Sequence, residues 1–258
     1  MYTSIMTIIH PHGNFKIAFT KRISYILSNL IFFIFKIFYP KVNSKSNGIL
    51  ISRATFKPWL EDKKYLAYYE KIKLLTILDH PRLYTLYNFS KQLEKINSDI
   101  LDIGCMKGGA GLMMSKINSN GRVFLIDTFQ SFLDKEKLHN SKIFYYPDHK
   151  ELKKNIKKMK LKKTYVFKDF FPKNYHLLNI KKIKLCHIDV NTLNSTKKIF
   201  NYVESKIIKN GIIVFDDYGI HGTEKLTKYL NIIKNNKKYS NKFHFVTNFF
   251  GQCILIKK

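Results

Sequence analysis

Acidic residues are scarce in this chain. Its 258 residues include 18 Asp and Glu against 46 Lys and Arg, a formal net charge of +28, and no acid precedes Glu61. An excess of that size points to an anionic partner such as nucleic acid, phospholipid headgroups or a phosphorylated substrate. The other reading is a solvated surface set by lysine-rich composition throughout. Cysteine is scarce too: Cys105, Cys186 and Cys253 form no Cys-x-x-Cys pair, which excludes zinc and dithiol redox motifs and fits a reducing, cytoplasmic setting. Cys186 and Cys253 fall in apolar strand patterns and read as small buried residues. The chain has no uninterrupted apolar run of about 20 residues, the length a membrane-spanning helix needs. Its longest, residues 23–39, is broken by Asn29 and Lys36 and stopped by Pro40, and Tyr39-Pro40-Lys41 is not a signal-peptide cleavage site. No internal repeats are visible.

What is present is organised around residues 99–128. Ile100, Leu101 and Ile103 form a short apolar run that stops at Gly104, and Gly108, Gly109 and Gly111 follow. Leu112, Met113, Met114 and Ile117 then carry helical spacing, and Val123 to Ile126 start a second strand that ends at Asp127. This is strand, glycine loop, helix, strand, a βαβ unit. Glycine suits the loop because a Cβ there would hold a ligand away from the backbone. Met106 stands where a Gly-x-Gly-x-x-Gly dinucleotide fingerprint needs glycine, and Ala110 stands where a Walker A loop needs lysine. The remaining pattern is Asp102-x-Gly104-x-x-x-Gly108-Gly109, with Asp127 about 20 residues on, where such folds set a carboxylate on ribose hydroxyls. It resembles the S-adenosylmethionine loop of class I methyltransferases, which implies cofactor contacts at Asp102, Gly104, Gly108, Gly109 and Asp127. The plainer alternative is a βαβ turn whose glycines only allow close helix–strand packing.

Three regions follow from the pattern. Residues 1–45 are an apolar, basic extension. Within it, 23–39 reads either as a helix lying on an anionic membrane face or as one docked on the protein's own core or in a homo-oligomer. Residues 46–98 form a helical cap, with a helix predicted over 59–78 and another after Asp79 and Pro81 that runs to Ile96. Residues 99–258 hold the rest. A basic helix from His149 to Leu161 presents its lysines as a solvated face, and a third strand spans Thr164–Phe167. Asp169, just beyond it, is a candidate contact to an adenine amino group by position. Ile183–Ile188 is the fourth strand and ends at Asp189. The next helix is predicted to be capped by Ser195 and closed by Asn210-Gly211. Ile212–Phe215 is the fifth strand, ending at Asp216-Asp217; another helix starts near Thr223, and a hairpin of Phe243–Val246 and Cys253–Ile256 closes the chain. The expected fold is Rossmann-like α/β: a mostly parallel seven-stranded sheet in the class I order 3-2-1-4-5-7-6, with helices on both faces and an N-terminal helical extension.

Ligands of open α/β sheets bind beyond the carboxyl ends of the strands. In that strand order Asp189, Asp216 and Asp217 converge. Clustered carboxylates need a proton, a lysine or a cation, and hard oxygen ligands favour Mg²⁺ or Ca²⁺ over zinc. A Mg²⁺ there could bind two sugar or catechol hydroxyls and lower the pKa of one. Alternatively, Asp216 or Asp217 caps the following loop and Asp189 bonds a backbone turn. Asp189 and His221 are the candidate general bases, His221 because imidazole titrates near neutral pH. His187, inside the fourth strand, reads as structural.

Together these pieces resemble the macrocin O-methyltransferase-like enzymes of the TylF/MycF type over about residues 80–235. The pieces are Arg82-Leu-Tyr-x-Leu-Tyr, Asp102-Ile-Gly-x-x-x-Gly-Gly, Asp127-Thr-Phe, His187-Ile-Asp189-x-Asn-x-x-x-Ser195-Thr196 and Gly211-x-x-x-x-Asp216-Asp217-Tyr218-Gly219. The resemblance implies S-adenosylmethionine as methyl donor, Mg²⁺ on Asp189, Asp216 and Asp217, ribose on Asp127, and a sugar hydroxyl as acceptor. Asn191 and Leu193 depart from it, standing where the family carries an acid and a tyrosine, so this site has lost charge. The expected function is an S-adenosylmethionine-dependent O-methyltransferase for a glycan, glycolipid or secondary-metabolite precursor, cytoplasmic and peripheral on the membrane through residues 23–39. Two alternatives stay open. One is an RNA methyltransferase, suggested by the charge, although no Asn/Asp-Pro-Pro-Tyr motif for base methylation is present. The other is a non-catalytic cofactor-binding scaffold, suggested by the altered 189–195 segment.

Overall fold

The computed structural model describes residues 58–130, 149–190, 192–220 and 222–258, with the isolated positions 26, 30, 33 and 34. The chain divides into two compact units, Met1–Lys57 and Pro58–Lys258. In the first, Ile26, Leu30, Phe33 and Ile34 are helical and exposed; the remainder of the expected 23–39 helix lies outside the described residues. Among the described residues no helix is long and apolar enough to cross a membrane.

The second unit runs α1 (Lys63–Ile72), α2 (His80–Gln92), β1 (Asp99–Ile103), α3 (Gly109–Ile117), β2 (Val123–Asp127), α4 (His149–Lys158) and β3 (Thr164–Lys168). It continues with β4 (Ile183–Ile188), α5 (Leu193–Glu204), β5 (Ile207–Phe215), α6 (Glu224–Asn235), α7 (Lys237–Ser240), β6 (Phe243–Thr247) and β7 (Cys253–Lys257). The seven strands lie in the order β3-β2-β1-β4-β5-β7-β6, with β7 antiparallel to both neighbours and the other pairings parallel. This is the Rossmann-like sheet expected from the sequence.

Strand alternation sorts the core into two layers. Ile100, Leu185 and Val214 pack with Leu83 and Leu86 of α2 and with Leu112 and Met113 of α3. Leu101, Ile103, Cys186 and Ile188 pack on the other face with Phe200 and Val203 of α5 and Leu230 of α6. Tyr65 and Tyr87 are buried in the first layer, as packing residues. Asp62 and Asp79 cap α1 and α2 by accepting the backbone N–H of Tyr65 and Arg82 at 2.9 and 3.0 Å. Lys184, at the amino-terminal end of β4, is wholly buried. Its ammonium donates to the carbonyls of Glu94, Ile96 and Asn120 and to Asn118 Oδ1 at 2.6–3.3 Å.

Three local expectations are corrected. The helix predicted over 59–78 stops at Ile72, because the Leu75 carbonyl turns to accept the N–H of Gly109 at 2.9 Å, making 73–79 a loop against the glycine turn. Thr192, not Ser195, caps α5, and its hydroxyl donates to Ser195 Oγ in the first turn. Asn210-Gly211 lies inside β5. Ile183 pairs with Ile207 and Leu185 with Ile212, so the pair serves a bulge, for which a left-handed Asn followed by Gly is as suitable as for a helix end.

Candidate active site

A cavity of about 420 Å³ opens at the carboxyl ends of β1, β2, β3, β4 and β5. One wall is the glycine turn. Gly104 and Cys105 both direct their N–H groups to the Ile126 carbonyl, which folds the turn over β2. Gly104 adopts φ +86, and a Cβ there would stand 1.8 Å from the Asp189 carbonyl oxygen, so only glycine lets the two strand ends approach. Asp127 faces the cavity; its carboxylate accepts the N–H of Met106 at 2.8 Å and of Phe129 at 2.9 Å. These bonds aim the carboxylate and, with the Thr128 hydroxyl 3.5 Å from Oδ1, leave a further lone pair on Oδ2. Asp169 also lines the cavity, but it folds its own turn by accepting two bonds from Asn174 at 2.7 and 3.1 Å. Gly109 is on the wall with its N–H spent on Leu75, whereas Gly108 lies behind it as the N-cap of α3, where a Cβ would meet Leu152.

The opposite wall is acidic. Asp189 and Asp217 face the cavity, and Asp216 is buried immediately behind them. His187 lies between carboxylates, its Nδ1 2.7 Å from Asp102 Oδ1 and its Nε2 3.4 Å from Asp216 Oδ2. Burial pulls this imidazole down, but hydrogen bonds to Asp102 and Asp216 outweigh it and hold His187 well above the ordinary histidine range, so both ring nitrogens donate. Burial, reinforced by the charges of Asp216 and Asp217, pushes Asp189 well above the usual carboxylate range. Burial and the Asp216 charge push Asp217 up as well. Arg82, from the first turn of α2, is the compensating cation, with Nη1 3.5 Å from Asp216 Oδ2 and 3.8 Å from Asp217 Oδ1.

The structure therefore brings Asp102, Gly104, Gly109, Asp127, Asp169, Asp189 and Asp217 to one cavity, with Asp216 behind its wall, and leaves Gly108 off it. His221 lies outside the described residues. Asp102 is buried and bonded to His187, so it acts on the cavity from beneath. Sequence reasoning missed Arg82 as a counter-ion and His187 as a bridge. The only signal for either was its place in a quoted motif.

The family model for macrocin-O-methyltransferase (TylF) matches residues 74–248, more than half of the chain. A search of curated protein sequences finds no match. Among solved structures, the O-methyltransferase NovP superposes with a TM-score of 0.60 at 15% identity, covering 71% of this chain and 82% of that one. The calicheamicin methyltransferase CalS11 gives 0.57 at 12% identity over 79% and 87% of the two chains. The O-methyltransferase from Bacillus cereus, solved in complex with SAH, gives 0.51 at 13% over 81% and 94%. At such identities the structural likeness is one of fold. The family match, lying on a class I sheet with a glycine turn and Asp127 at its cavity, makes this chain a member of the macrocin-O-methyltransferase (TylF) family and an S-adenosylmethionine-dependent methyltransferase.

Proposed function

We propose that the protein methylates a sugar hydroxyl of a glycan, glycolipid or secondary-metabolite precursor, with a divalent cation at the acidic wall. The observation that carries this reading is that Asp189 and Asp217, with Asp216 buried behind them, share one cavity with the glycine turn and Asp127.

The residues fit both absent groups. A cofactor ribose suits the spare lone pair of Asp127, beside a turn that Gly104 and Gly109 let pack closely against Asp189 and Leu75. When bound, S-adenosylmethionine supplies an electrophilic methyl group on a positive sulfonium. A cation suits the acidic wall because Asp216 Oδ1 is buried without a hydrogen-bond partner, and the raised carboxyls of Asp189 and Asp217 mark charge repulsion that a cation would relieve. Ligand atoms of His187, Asp189 and Asp216 lie within 4.8 Å of one another. Both His187 nitrogens are committed to carboxylates, so the available ligands are carboxylate oxygens, which suit Mg²⁺.

With the cofactor bound, Asp189 would take the proton of the acceptor hydroxyl as that oxygen bonds the methyl carbon, the methyl–sulfur bond breaks and the thioether leaves. Arg82 and His187 hold Asp216 and Asp217 in place and keep the wall from accumulating unbalanced charge. Apolar Leu75, Leu78, Val190 and Ile199 on the same cavity exclude water.

The test is calorimetric titration of the full chain with S-adenosylmethionine, with and without Mg²⁺, beside Asp127→Ala and Asp216→Ala. Cofactor affinity should fall in the first variant and Mg²⁺ affinity in the second, after which sugar acceptors are screened for methyl transfer. A folded wild type that binds Mg²⁺ no better than Asp216→Ala would remove the cation from the reading.

A further inference from the structure

We propose that the rim of the cavity docks on the interface of an anionic lipid bilayer, so that the cavity opens toward membrane headgroups. The proposal goes beyond the reaction above and does not depend on the cation or on which hydroxyl is methylated.

Loops 216–220 and 248–252 pack on each other beside the acidic wall, and loop 73–79 lines the same cavity. Gln252 Nε2 donates to the Arg82 carbonyl at 3.5 Å, and Tyr218 N–H donates to the Gly251 carbonyl at 2.8 Å. A Cβ on Gly251 would stand 2.8 Å from Ile220 Cδ1. Arg82, seven residues beyond the tip of the first loop, reaches Asp216 and Asp217 at the root of the second. Each loop carries large apolar side chains into solvent: Leu74 is 82% exposed, Ile77 59%, Ile220 37%, Phe249 85% and Phe250 38%.

The manner of exposure selects the occupant. A small ligand needs enclosing walls, and side chains as exposed as Leu74 and Phe249 have none. A lipid interface accepts protruding Leu, Ile and Phe tips and gains from burying them. Several large apolar side chains so exposed on loops beside one cavity are uncommon on a chain that meets only water. Charge complementarity favours lipid over a second copy. The chain's excess of 46 Lys and Arg over 18 acids repels another copy and attracts an anionic surface. Lys71 stands exposed just before Leu74, where Lys73 is paired with Glu70 at 2.8 Å, and Lys228 stands exposed on the helix that follows Ile220.

The chain has one tryptophan, Trp59, which makes a site-specific probe direct. Phe249→Trp in a Trp59→Phe background is mixed, as the full chain, with phosphatidylglycerol–phosphatidylcholine vesicles carrying brominated acyl chains. The expected result is quenching and a blue shift of the indole at 249, abolished in pure phosphatidylcholine. In the otherwise wild-type chain, Leu74→Ser with Phe249→Ser should lower vesicle binding about tenfold in co-sedimentation. Co-sedimentation without quenching at 249 would overturn the proposal, because residues outside the rim would then hold the membrane. A blue shift that depends on protein concentration and not on vesicles would overturn it in favour of self-association. Both readouts work without cofactor, so loss of methyl transfer is a separate result.

Discussion

The approach of the glycine turn to the end of β4 can be tested by one methyl group. Gly104 and Gly219 adopt nearly the same left-handed backbone, φ +86 and +81. Alanine at either position takes on the left-handed penalty of about 1–2 kcal/mol. They differ in surroundings. At Gly219 an added Cβ meets nothing within 4 Å, whereas at Gly104 it stands 1.8 Å from the Asp189 carbonyl oxygen and 2.6 Å from its carbon. Those are backbone atoms, and the Asp189 N–H is already bonded to the Ile103 carbonyl at 2.8 Å, so neither strand end yields freely. Overpacking of this kind adds about 1–3 kcal/mol. Urea unfolding should therefore show a loss of about 1–2 kcal/mol for Gly219→Ala and about 2–5 kcal/mol for Gly104→Ala. Displacing the turn should also weaken S-adenosylmethionine binding to Gly104→Ala by at least about tenfold, or 1.4 kcal/mol, in calorimetry. Equal destabilisation in the two variants would refute the close approach and with it the account of why glycine occupies position 104.

Other consequences are equally specific. Asp189 and Asp217 have folded pKa values raised above their unfolded ones, so the folded state holds protons that the unfolded chain releases. Stability should then fall as pH rises from about 4 through the raised range, most steeply with a chelator present. Asp189→Asn should flatten that decline and raise Tm at pH 8, at about 2–4 °C per kcal/mol, while weakening Mg²⁺ binding; a variant less stable than wild type at pH 8 would contradict the repulsion. Arg82→Gln leaves a buried carboxylate without its cation and should cost about 3–5 kcal/mol, and combining it with Asp216→Asn should recover a good part of that. Strict additivity in the urea-derived cycle would show that the guanidinium does not balance Asp216. Burial pulls the Lys184 ammonium down to about 8, yet four oxygens surround it. Lys184→Met strands those acceptors and should cost about 3 kcal/mol in urea unfolding at pH 7, with no change in cofactor affinity; an unchanged midpoint would mean the carbonyls find other donors.

Local pattern carried the sheet and failed where distant contacts decided. The βαβ unit around Gly104 and the strand-end acids Asp127, Asp189 and Asp216 follow from short apolar runs that stop at a glycine or aspartate, while the order 3-2-1-4-5-7-6 came with the resemblance to class I methyltransferases. The loop at 73–79 could not be read that way, because its cause is a backbone bond from Leu75 to Gly109 across the fold. Asn210-Gly211 has the same composition whether it ends a helix or bulges a strand, and only pairing of β5 with β4 separates the two. Arg82 lies on a helix whose other signals are apolar and aromatic packing, so its pairing with acids more than 130 positions away has no local trace. His187 was legible as a buried strand residue but not as a bridge, since both its partners come from other strands.

The chemistry of the site rests on register more than on any single side chain. Asp102 pairs with His187 across β1 and β4, and Ile103 pairs with Ile188. Side chains alternate faces along a strand, so a slip of one residue would carry His187 to the opposite layer and separate it from Asp102 and Asp216. What prevents the slip is apolar: Ile100 and Leu185 must meet the α2 and α3 layer while Leu101, Ile103, Cys186 and Ile188 meet α5 and α6. The buried chain Asp102–His187–Asp216–Arg82 runs from beneath the glycine turn to the acidic wall. Glycine turn and acidic wall are thus held by the same charged groups, and the hydrophobic alternation that selects the fold also sets the distance between them.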